Sequence, residues 1–205
     1  MINWIFSDLL TRDEWDHLNI RGSTSRCYYL QYEYHQEITS NDFFVPSAIY
    51  FFHPPYASCR KEPDVQIRPN NQRFPSIVME SGWSESIPRI HDDINSWLIG
   101  GNGFVKAVII LKWHRVGHTN AVGGHAELYT LDTDGIPCLM QEETIFPAPP
   151  LEQAQAQAIR LTRGILFGGT SPPGRKNPND IFTLRLESLR SAARPSLAFM
   201  GLVPF

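Results

Sequence analysis

The stretch "EPDVQIRPNNQRFPSIVMESGWSES", residues 62–86, decides how the rest of the chain is read. "DVQIR" alternates Val65 and Ile67 with polar residues, which predicts a short strand. Pro and Asn in "PNNQRFP" supply turn dihedrals. "SIVME" is an apolar run bounded by turn signals and predicts a buried strand. Each piece carries one carboxylate: Asp64 after Pro63, and Glu80 at the end of Ile77-Val78-Met79. The pair reads either as solvated strand ends or as a site for metal-ion chemistry. Glu80 follows three apolar residues, so burial is expected, and a buried carboxylate needs a partner. Its bland partner is a salt bridge to Lys112 or Arg89.

Downstream, Ser86 is a candidate N-cap and Pro88 suits a first helical turn. Ile87, Ile90, Ile94, Trp97 and Leu98 then recur with the helical period. "GGNG" stops that helix, and "FVKAVIILKW" is nearly all apolar, as a strand buried on both faces is. "HAELYTLDTDGIPCLMQEETIF" predicts a hairpin turning at Asp134-Gly135. After "PAPP", a helix is expected from Glu152 to Ala158 and on to Leu161. "GGTSPPGRKNPND" is a loop. "DIFTLRLESLRSAA" is a strand and a helix, or one helix, limited by Pro195. Upstream, "TRDEWDHL" has a capping-box pattern and "SRCYYLQYEYHQEI" reads as an aromatic strand. "FFVPSAIYFF" is broken by Pro46, and "HPPYASCRKEP" is a loop. This order predicts a single α/β (α+β) domain on a mixed β-sheet core flanked by helices, with an added C-terminal hairpin and helices.

Bulk properties agree. The chain has 205 residues, 42% hydrophobic, with a formal net charge of -3. That length suits one domain, and the charge gives no whole-chain footprint for nucleic acid. Cys27, Cys59 and Cys138 are too scattered for a disulfide framework or a zinc site, so free thiols are expected. The N-terminal residues make a poor signal peptide, and no apolar run approaches the roughly 20 residues of a membrane helix. A soluble, intracellular protein, cytoplasmic or nuclear, is the expectation.

Pro63-Asp64, the turn, "PSIVME" ending at Glu80, the "WL" helix and "VKAVIILK" together resemble the PD-(D/E)XK, or restriction-endonuclease-like, superfamily. The similarity is to uncharacterised fungal members and to bacterial restriction-endonuclease relatives. It covers roughly residues 60 to 115, with further likeness in "IFPAPP…LTRGILFG…LRLESLR". The resemblance implies one restriction-endonuclease-like domain over 1–205, its C-terminal segment from about 150 peripheral. It also implies that Asp64 and Glu80 bind Mg2+, with a backbone carbonyl near Ser81 as a possible third ligand. A lysine two residues after the acid would help activate water. Magnesium takes oxygen ligands and keeps several waters. Beside a phosphodiester it acts as a Lewis acid.

Two departures stand out. The lysine position falls on Gly82, leaving Lys112 or Lys106, expected on one strand face, as replacements; Lys112 is the choice. The first core helix that precedes the PD segment in fungal members is shortened or absent, since "VPSAIYFFHPP" runs quickly into "EPD". Other candidates read blandly. Asp92 and Asp93 are solvated, and Trp83 is a lid over the core or a pocket wall. His114, His118 and His125 sit in a Gly-rich loop and are structural or solvated, though one could be an acid/base group.

The expected function is thus a divalent-metal-dependent nuclease-like protein acting on phosphodiesters, with catalytic Glu80, Asp64 and Lys112. One alternative is a repurposed fold that binds or transforms a small molecule without metal, using Glu80 or a loop histidine as acid/base. Another is a non-catalytic interaction protein, whose tail "LAFMGLVPF" would dock a partner or a twin as a homodimer.

Overall fold

The computed structural model describes residues 18–22, 49, 52–69, 72, 74–83, 87–169 and 177–205. The helix expected at 11–18 and the aromatic strand expected at 25–38 lie outside these residues, except Leu18, which is in a strand. Cys27 and the N-cap Ser86 lie outside them too.

Six strands run in sequence order across one mixed sheet: β1 Leu18–Gly22, β2 Val65–Pro69, β3 Ile77–Trp83, β4 Ala107–Arg115, β5 Ala121–Leu131 and β6 Pro137–Phe146. A short β9, Val203–Pro204, adds to β5 in parallel. The pairs β1–β2, β2–β3, β4–β5 and β5–β6 are antiparallel, while β3–β4 is parallel. A parallel pair needs a crossover, and α1, Ile87–Leu98, supplies it. The hairpin at Asp134-Gly135 is part of this sheet rather than an addition to it. Gly135 holds φ at 78°, and Asp132 Oδ1 accepts from the Asp134 and Ile136 backbone N–H groups to close the turn.

Strand alternation sends residues to two cores. Val78, Val108, Ile110 and Tyr129 face α1, where they meet Ile90, Ile94, Trp97 and Leu98. Ile77, Met79, Ile109, Leu111, Ala126 and Leu128 face the opposite layer. That layer is built from α2 Leu151–Ala156, β7 Ala158–Thr162, α3 Arg163–Leu166, β8 Ile181–Arg185 and α4 Leu186–Phe199. β7 and β8 pair antiparallel as a separate ribbon.

Two side chains lock this layer to the sheet. Arg190 is fully buried; its guanidinium donates to the carbonyls of Ile145 and Thr144 at 2.8 and 2.9 Å and also bonds Gln157 Oε1. Gln141 of β6 donates to the Ala158 carbonyl at 2.6 Å, and its own oxygen accepts from Arg160 N at 3.0 Å.

Three expectations change here. The helix expected to run to Leu161 ends at Ala156, and β7 begins at Ala158, because Ala158, Ile159 and Leu161 are buried and Arg160 is exposed. "DIFTLRLESLRSAA" is a strand followed by a helix, and Pro195 does not end it: α4 runs on to Phe199. A proline removes one intrahelical bond, and burial of Leu197 and Leu202 holds the turns that follow. The Gly-rich loop is mostly strand, since β4 reaches Arg115 and β5 starts at Ala121. His114 and His125 therefore lie on strands and only His118 lies in the turn. Gly123 and Gly124 explain the misreading. A Cβ at Gly123 would lie 2.4 Å from His114 Nε2, and one at Gly124 would lie 2.6 Å from the Trp113 ring. Both glycines are strand positions against which the ring of the register partner packs closely.

From Phe52 to Asp64 the chain makes turns and no helix, with Lys61 in an isolated bridge to Ile49. No helix among the described residues is long and apolar enough to cross a membrane. Cys59 and Cys138 are free thiols.

Candidate acidic site on the sheet

The antiparallel register pairs Val65 with Met79 and Gln66 with Val78. One step further along, Asp64 and Glu80 come side by side on the α1 face. Their contacts are reciprocal. The Ser81 backbone N–H donates to Asp64 Oδ2 at 2.8 Å, and the Asp64 N–H donates to Glu80 Oε2 at 3.3 Å. From α1, the Trp97 indole donates to Glu80 Oε1 at 2.9 Å. Trp97 is itself fully buried and packs its ring against Phe52 at 5.2 Å. The stretch quoted above thus folds so that each acid is oriented by a donor from the next element.

Burial pushes the Glu80 carboxyl up to about 7 from 4.5. The Trp97 hydrogen bond opposes the rise, the negative charges of Asp64 and Asp93 add to it, and the Asp64 N–H opposes it weakly. Desolvation and like charge both disfavour the ionised form. Glu80 is therefore not in a salt bridge with Lys112 or Arg89. Its partners are an indole and a backbone amide.

Asp93 was expected to be solvated. Instead it is mostly buried and paired with Lys61, three residues ahead of Asp64. Its position just off the apolar helix face disguised this, and nothing near Lys61 in the sequence marks it as a partner. The cluster is thus Lys61, Asp64, Glu80 and Asp93. Asp92 is exposed, as expected.

Lys112 stands next to Gly82 in the parallel β3–β4 register, on the same face as Glu80. The position that the resemblance assigns to a lysine thus has a lysine as its register neighbour. Its ammonium, however, reaches toward β5 and binds Glu127 Oε1 at 2.7 Å. Tyr129 donates to the other Glu127 oxygen at 2.8 Å. Burial and that carboxylate hold the Tyr129 phenol well above its usual range. Lys106 precedes β4 and lines a cleft with Leu128 and Leu161 whose lining includes neither Asp64 nor Glu80.

Trp83 and Trp113 are register partners that pack against the second core. The Trp113 indole donates to Ser81 Oγ at 2.9 Å, which fixes the residue whose N–H holds Asp64. His114 and His125 stack at 5.8 Å with nearly parallel rings, and His125 Nδ1 lies 3.7 Å from Glu142. Among the described residues no group of three or more His, Cys, Asp or Glu is arranged to hold a metal ion. Two carboxylates alone suit a hard cation that keeps most of its waters. An oxygen-only pair, one member pushed toward protonation by burial and then by its neighbours' charge, would suit Mg2+ better than a softer metal.

Comparison with protein-family models, with curated proteins and with solved structures returned no match.

Proposed function

We propose that the chain is a restriction-endonuclease-like, divalent-cation-dependent hydrolase of phosphodiesters, with Asp64 and Glu80 as the cation ligands. The observation that carries this reading is the pair itself: two carboxylates set side by side across β2 and β3, with Glu80 raised to about 7 by burial and by the charges of Asp64 and Asp93. A divalent cation between them would remove that penalty. The parallel β3–α1–β4 unit and the Gly82–Lys112 register are further support.

When bound, Mg2+ supplies Lewis acidity at a phosphate oxygen and lowers the pKa of a ligated water. The chain's own residues do the rest. Asp64 is held by Ser81 N–H and Glu80 by the Trp97 indole, so the donors need little reorganisation on binding. Lys61, tied to Asp93, brings a positive charge to the acid cluster. Lys112 contributes at the phosphate only by exchanging Glu127 for it, which makes it the weaker of the two cations.

The test is a Mg2+ titration by calorimetry, run with cleavage assays on DNA and RNA with and without EDTA. Wild type should bind Mg2+ and cleave. Glu80→Ala should lose both, and Asp64→Asn should weaken binding at least tenfold. Undiminished cleavage by Glu80→Ala would remove this site from the chemistry.

A second reading is favoured by the same carboxyl. A group titrating near 7 is matched to general acid/base work at neutral pH. Glu80 would then act without metal on a small molecule, and EDTA would leave turnover unchanged.

A further inference from the structure

The sheet's other face opens where the β7–β8 ribbon leaves the ends of β5 and β6. The opening is a cleft of about 560 Å³. Leu128 of β5 and Leu161 of β7 form its buried floor, and Ile165 of α3, Met140 of β6 and Ile181 of β8 line its open part. Two charged residues line it as well, Lys106 and Arg160, and both are cations; its lining contains no Asp or Glu. Among the described residues neither cation is in an ion pair, and the Arg160 guanidinium makes only a 3.3 Å hydrogen bond to the Ala156 carbonyl. A concave, mostly apolar space of a few hundred Å³ with a few polar groups at its margin is the usual form of a small-molecule site. A cation beside an apolar wall selects an anion with an apolar body, because a neutral ligand gains nothing from the charge and a cationic one is repelled.

We propose that this cleft binds a small amphipathic carboxylate, such as a medium-chain fatty acid, with its chain along Met140, Ile165 and Ile181 and its carboxylate at Lys106 or Arg160. The site is separate from the Asp64–Glu80 pair, which lies on the opposite face, and stands whether or not that pair hydrolyses anything.

Decanoate is the probe, titrated below its micelle-forming concentration by calorimetry and followed by methyl NMR. Saturable one-to-one binding is expected, with shifts at Met140, Ile165 and Ile181 and none at Ile90 or Ile94. Decyltrimethylammonium should bind at least tenfold more weakly to the same protein. Octanoate should bind about fivefold more weakly than decanoate, against roughly fifteenfold for full burial of two methylenes, because the cleft is half open. The double variant Lys106→Gln, Arg160→Gln should lose at least tenfold in decanoate affinity, with its thermal melt confirming the fold. Equal binding of the anion and the cation overturns the proposal, and that comparison needs no variant. So does an unchanged affinity in the folded double variant, shifts confined to the tail at Phe199–Phe205, or binding only to anionic vesicles.

Discussion

Glu80→Gln should make the protein more stable, and only above mildly acidic pH. The native carboxyl titrates near 7 rather than 4.5. Between those values the native state holds a proton that the unfolded chain has released. Stability therefore falls as pH rises through this window and is flat above it. At 1.36 kcal/mol per unit, the shift is worth about 3 kcal/mol. Glu80 keeps a partly exposed edge, so about 2 kcal/mol is the working figure. Glutamine cannot ionise and keeps an oxygen for the Trp97 indole, so it removes the penalty and loses only the weak 3.3 Å bond from the Asp64 N–H. Urea unfolding in EDTA should show Glu80→Gln more stable than wild type by about 2 kcal/mol at pH 8, and equal to it near pH 4.5. In a chain of this size that is a melting shift of roughly 4–8 °C. Mg2+ at pH 8 should stabilise wild type by mass action and leave Glu80→Gln unmoved. A variant no more stable at pH 8, or one whose advantage persists unchanged to pH 4.5, would refute the account of the acid pair.

Other outcomes follow from the packing. Arg190→Ala should cost about 3–5 kcal/mol in urea unfolding, because it leaves two carbonyls and the Gln157 oxygen without their donor. Lys112→Ala should cost about 2–3 kcal/mol by stranding the buried Glu127, and the added Glu127→Gln change should recover part of it; additive losses in that cycle would mean the pair is not coupled. Gly124→Ala should cost about 1–3 kcal/mol, since its Cβ would press on the Trp113 ring, and Trp113→Leu in the same chain should relieve it, as read by thermal melts.

Much of the fold was legible because its signals are local. α1 has bounds that its apolar period predicts, and β2 and β3 start within a residue of their expected places. What failed depended on contacts distant in sequence. Ala158–Leu161 has the composition of a helix and becomes a strand because β8 pairs with it. Gly123-Gly124 reads as a loop until Trp113 and His114 are seen lying on it. Within the site, Asp64 and Glu80 were visible as a spaced pair, and the register brings them together. Lys61 and Asp93 were not, since their meeting depends on how the 52–64 turns pack against α1. Gly82 stands where the resemblance expects a lysine. That its register partner is itself a lysine could be known only from the β3–β4 alignment.

Gln141 has a consequence beyond holding two layers together. Its amide donates to the Ala158 carbonyl and accepts from the Arg160 N–H, the same pair that a neighbouring strand would use. A two-stranded ribbon offers an open rim that invites another chain to join it. Here one side chain occupies the bonding positions at the middle of β7. The molecule thereby closes a route to strand-by-strand self-association with a single residue, without a proline, a bulge or an added charge.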